Sequence, residues 1–110
     1  MSRTHAKNYL RTYRLRAALT LAELGSLLGV SENTLWRYEL GIRSVPAEVV
    51  IASETIFGVA GALIFPALYN GVEENLAIRA LELHDRLADR SDAASLKKLA
   101  VISSIPARLR

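Results

Sequence analysis

Residues 20–41, TLAELGSLLGVSENTLWRYELG, decide the fold, because they read as two short helices joined by one tight glycine turn. Thr20 followed three residues later by Glu23 makes a capping box, in which the hydroxyl and the carboxylate each satisfy a backbone N–H that the helix leaves unpaired. Leu21, Leu24, Leu27 and Leu28 then recur at helical spacing, and Gly29 stands where a left-handed residue commonly ends a helix. Ser31 is a good N-cap for a second helix over 31–40, through Leu35, Trp36 and Tyr38, with Gly41 as its stop. Val30 alone separates glycine from cap, so the helices must cross steeply, which is helix-turn-helix geometry. Gly25 falls between the facing sides, where a side chain would hold the helices apart, and Val30 and Leu35 plug the angle.

The outward face of the second helix then carries Glu32, Asn33, Thr34, Trp36 and Arg37. In a major groove, Asn pairs bidentately with adenine, Arg with guanine, and Glu accepts from cytosine. Glu32, Asn33, Thr34 and Arg37 are therefore candidates for reading bases. Two capped amphipathic helices also occur in all-α domains with no nucleic-acid role, and the pattern alone does not separate the two cases.

The stretch resembles the helix-turn-helix of the lambdoid phage repressors and Cro, the large family often called XRE. The resemblance rests on Thr20, Leu24, Gly29, Val30, Ser31, Leu35, Glu39 and Gly41, and the similarity covers residues 9–65. It implies an all-α fold: a five-helix lambda-repressor-like DNA-binding domain over 1–69, extended over 70–110 by one or two C-terminal helices. It also implies an ion pair between Arg14 and Glu39, tying the first helix to the end of the recognition helix. The DNA backbone would approach the loop 42–46, which makes Arg43 and Ser44 candidates for phosphate contacts. Ser31, Trp36 through its indole N–H, and Arg16 complete that set. Phosphate contacts of this kind position a protein without reading sequence. The chain departs from the family at Leu21, where Gln is frequent, and at Gly25, where Ala is usual. Leu21 removes a polar group, so the DNA contact that Gln makes is not carried over.

Charge is distributed as this reading needs. Residues 1–45 hold Arg3, Lys7, Arg11, Arg14, Arg16, Arg37 and Arg43 against Glu23, Glu32 and Glu39, whereas residues 46–110 are slightly acidic. A positive first half suits a phosphate backbone, although a solvated basic helix has the same composition. With 110 residues, 51% of them hydrophobic, the chain can bury one core. The absence of Cys excludes disulfides and thiolate chemistry. His5 and His84 have no companions at metal-ligand spacing. No paired carboxylates, phosphate loop or activated nucleophile stands out, so neither an enzyme nor a cofactor is expected.

The flanks complete the expectation. Residues 1–7 lack the apolar run of a signal peptide and read as a short polar arm. A first helix is expected over 4–18, with Tyr9, Leu10, Tyr13 and Ala17 inward and Lys7, Arg11 and Arg14 supplying charge. Pro46 opens a scaffold helix over 46–57 that Gly58 ends. Residues 55–72, TIFGVAGALIFPALYNGV, carry no charge, but their Gly and Pro punctuation favours a short buried helix over 60–68 instead of a membrane span. An amphipathic helix over 72–90 is opened by Glu73 and Glu74, with Val72, Leu76, Ala80, Leu83 and Leu87 as its stripe. A last helix runs through Leu96, Leu99 and Ile102 until Pro106 stops it.

Leu63, Phe65, Leu76, Leu83 and Leu87 are then candidates for a homodimer or partner-protein surface. Packing within the same chain would satisfy them equally. The expectation is a cytoplasmic, nucleoid-associated regulator that binds double-stranded DNA as a homodimer on an inverted repeat. The alternative is an antitoxin or protein-interaction module whose C-terminal helices grip a partner while the first half autoregulates.

Overall fold

A computed structural model describes residues 8–110 and contains seven helices and no strand among them. They are α1 (Leu10–Arg16), α2 (Leu21–Leu28), α3 (Glu32–Leu40), α4 (Ala47–Phe57), α5 (Gly61–Ile64), α6 (Pro66–Leu87) and α7 (Ala93–Arg108). The chain divides into two compact units, one ending at Tyr69 and one spanning Asn70–Arg110.

The local signals of residues 20–41 act as their chemistry dictates. Glu23 N donates to Thr20 Oγ1 at 3.0 Å and Thr20 N donates to Glu23 Oε1 at 2.9 Å, so both halves of the capping box form. Gly29 ends α2 with φ of 73°, a left-handed conformation that would cost an L side chain about 1–2 kcal/mol. At Gly25 the constraint is space: a Cβ there would lie 2.9 Å from the Val30 carbonyl oxygen. The bare backbone therefore lets the turn between α2 and α3 close.

The core of the first unit gathers one or two residues from each helix: Leu10, Leu24, Leu35, Tyr38, Val49, Val50, Ile64 and Phe65. Phe65 lies within this core at 2% exposure, which corrects its assignment to a partner surface. The apolar run that follows α4 is thus covered in large part by the chain itself, although Leu63 remains 59% exposed. Gly61 N donates to Glu54 Oε2 at 2.5 Å, so a carboxylate from α4 caps α5.

Three helix boundaries differ from the sequence expectation. Asn8 is not helical and its Oδ1 accepts from Leu10 N at 2.9 Å, so α1 starts after it; the expected start at Thr4, the polar arm, Lys7 and His5 lie outside the described residues. The helix expected over 60–68 is two elements, because Phe65 leaves helical geometry after α5 and Pro66 opens α6. Pro tolerates a first turn, where its missing N–H has no helical acceptor. Gly71 and the Glu73–Glu74 pair consequently fall inside α6 and do not begin it. Pro106 lies inside α7, which continues to Arg108 before ending. So close to the end, Pro forfeits a single backbone bond.

In the second unit Leu87, Ser95 and Ile102 are buried. Leu87, at 6% exposure, is therefore interior and no docking residue. Asp92 caps α7, accepting from Ser95 N at 3.1 Å and from Ser95 Oγ at 2.7 Å. No helix of the described residues is long and apolar enough to cross a membrane.

Candidate nucleic-acid interface

Helix α3 is held from one side and bare on the other. Leu35 and Tyr38 are buried, Thr34 and Glu39 are half-buried, and Glu32, Asn33, Trp36, Arg37 and Leu40 are exposed. At about 100° per residue, Asn33 and Leu40 stand opposite the buried pair, with Trp36 and Arg37 about 50° to either side. The result is a single outward face of five side chains on a capped helix.

Three attachments fix the helix in place. At the N-terminus, Thr34 N donates to Ser31 Oγ at 3.1 Å. At the C-terminus, Arg14 Nε donates to Glu39 Oε2 at 2.6 Å and Arg14 Nη2 to Glu39 Oε1 at 3.1 Å, a bidentate pair whose side chains are 9% and 2% exposed. Arg14 Nη1 also reaches the Leu19 carbonyl at 3.1 Å, so the guanidinium joins the ends of α1 and α3 and the approach to α2. The hydrogen bond to Glu39 raises the Arg14 pKa above its ordinary value, against the opposing effect of burial. The third attachment is Asn8, whose Nδ2 donates to the Tyr38 carbonyl at 2.9 Å.

The structure sorts the remaining candidates. Thr34 lies at the edge of the base-reading set: it is half-buried, and its hydroxyl accepts from Ser31 Oγ at 3.0 Å while keeping its own proton to donate. Ser31 spends its hydroxyl proton on that bond. What the cap leaves for an anion is the first-turn N–H groups of Glu32 and Asn33, which no helical carbonyl reaches. Arg43 is exposed with its guanidinium 5.9 Å from the centre of the Tyr38 ring, and Ser44 is exposed beside it. Arg16 is exposed and stacks 5.7 Å from the centre of the Tyr13 ring. Both arginines therefore have an aromatic platform that restrains them without neutralising their charge. Leu21, in the family's Gln position, is half-buried against the core.

Sequence reasoning missed two residues. Leu40 shares the outward face at 43% exposure, and projection of α3 at helical pitch would have found it. Asn8 acts on Tyr38 across 30 residues, and no local pattern signals such a contact. Of the surface candidates, Leu63, Leu76 and Leu83 are exposed at 59%, 41% and 37%. No cluster of metal-ligating side chains occurs among the described residues.

A family model described as a helix-turn-helix domain matches residues 8–64. No curated protein and no solved structure matches the chain.

Proposed function

This chain belongs to a helix-turn-helix domain family, and from that premise we propose that it is a sequence-specific regulator of transcription of the XRE, phage-repressor-like type. It acts as a homodimer on double-stranded DNA. The observation that carries the reading is the bare face of α3, seated by the Arg14–Glu39 pair. Asn33 and Arg37 read base edges with Glu32 at the margin, while Arg43, Ser44, Arg16 and the N–H groups behind Ser31 hold phosphates. The domain through residue 69 carries this contact, and residues 70–110 carry association.

Dimerisation is supported by the exposed leucines Leu76 and Leu83 of α6, which a second copy would cover. A two-fold axis makes the preferred site an inverted repeat with half-site centres about 34 Å apart. The test is selection from a random duplex pool with purified protein, followed by a stoichiometric titration. The reading expects a two-fold symmetric site bound by two chains. Recovery of no preferred sequence would overturn it.

A second reading draws on other exposed apolar residues of α6 and α7, among them Val72, Ile78, Leu81, Leu96 and Val101. In it the C-terminal helices grip a partner protein, as an antitoxin does, while α3 autoregulates. Co-expression with the product of an adjoining gene separates the two: a stoichiometric complex lost on Leu81→Asp and Val101→Asp favours the partner. A symmetric dimer indifferent to co-expression favours the first reading.

A further inference from the structure

The outward face of α3 is not uniformly polar. Its centre holds Leu40, 43% exposed, and Trp36 stands one helical turn earlier at 48% exposure. These two lie four residues apart on the same side, so they form a continuous apolar ridge next to Asn33. A helix whose outward side met only water or phosphates would gain nothing from such a ridge. Base edges in the major groove offer donors, acceptors and one apolar group, the thymine C5-methyl.

We infer that Trp36 and Leu40 read thymine by enclosing its C5-methyl group, an inference that rests on the duplex-binding reading above. The indole supplies a flat apolar wall and Leu40 closes the side toward the helix C-terminus. Asn33, on the same face, is placed to take an adenine, so the ridge and the amide together select A·T pairs while Arg37 takes guanine on the far flank. This replaces the phosphate role that an indole N–H alone suggests for Trp36. The two roles make different demands: a phosphate contact needs the N–H, whereas a methyl contact needs the ring.

The experiment uses the full-length chain and the duplex it selects, with each thymine replaced in turn by deoxyuridine, which lacks only the methyl. Affinities are measured for the wild type, Trp36→Phe, Trp36→Ala and Leu40→Ala, all surface changes whose folding circular dichroism checks. At one thymine per half-site, deoxyuridine should weaken the wild type by about fourfold, the worth of one buried methyl. Trp36→Phe should retain that discrimination, and Trp36→Ala and Leu40→Ala should abolish it. The inference is overturned if no single thymine is sensitive, or if the deoxyuridine penalty survives in both alanine variants. It is overturned equally if Trp36→Phe loses affinity for every duplex alike, which would restore the phosphate role. Failure to select any duplex would remove the underlying reading itself, a result distinct from all of these.

Discussion

Replacing Arg14 with alanine strands the Glu39 carboxylate, and the size of that effect can be worked from the structure. The Glu39 side chain is 2% exposed, and it accepts two hydrogen bonds from the one guanidinium. Breaking a buried pair by removing one partner costs about 3–5 kcal/mol, most of it from the charge left behind. Against a total stability of about 5–15 kcal/mol, that is a large fraction. With a urea m-value of roughly 1–3 kcal/mol per molar, the unfolding midpoint should fall by at least about 1 M. The double variant Arg14→Met/Glu39→Leu removes both charges and should recover most of the loss, because no orphan remains. Urea titrations followed by circular dichroism on Arg14→Met, Glu39→Leu and the double close the cycle, with Arg14→Ala measured beside them. Additive losses, or an Arg14→Ala loss below about 1 kcal/mol, would refute the claim that this pair seats the recognition helix.

Three further outcomes follow from the same geometry. Arg37→Ala should cost roughly 1–3 kcal/mol of DNA affinity and blur preference at one base pair per half-site, while Arg43→Ala should weaken all sequences alike; footprint titrations across operator variants check the ordering. Thr20→Ala removes one bond of the α2 capping box and should lower stability by about 1 kcal/mol, read from the thermal midpoint and heat of unfolding. At the start of α7, the hydroxyl and backbone N–H of Ser95 hold the Asp92 carboxyl below the usual Asp range. A depressed folded pKa means that the cap contributes fully above the unfolded value near about 4 and is lost as pH falls through the folded value. Exchange of the Ser95 amide should therefore quicken with acid below that pH relative to Asp92→Asn, whose side chain caps without titrating.

What the sequence makes legible is local. Thr20, Glu23, Gly29, Ser31 and Gly41 act within one helical turn of themselves, so the boundaries of α2 and α3 follow from neighbours in the chain. Arg14 and Glu39 lie 25 residues apart, and only the family resemblance brought them together. The junction near residue 65 was obscured because Gly71 and the Glu73–Glu74 pair resemble a start signal, while the true opening is Pro66. Phe65 and Leu63 are neighbours in one apolar run, yet one is sealed in the core and the other exposed. Composition cannot separate them, since which side of so short a helix faces inward is set by α4 and the core. Thr34 shows the same limit within the site: its residue type suits a base edge, but the helix turns it half inward beside the cap.

The salt dependence of binding tests the central claim most directly. On the proposed reading Arg16 and Arg43 supply four phosphate-facing charges in a dimer, so log affinity for the selected duplex should fall with log salt at a slope of about −3.6 or steeper. Between about 50 and 200 mM salt that is a loss of roughly a hundredfold or more. Arg43→Ala should make the slope shallower by about 1 per protomer, while Arg37→Ala changes which sequence is preferred. An affinity that is flat across this range, or absent for every duplex, would contradict the account.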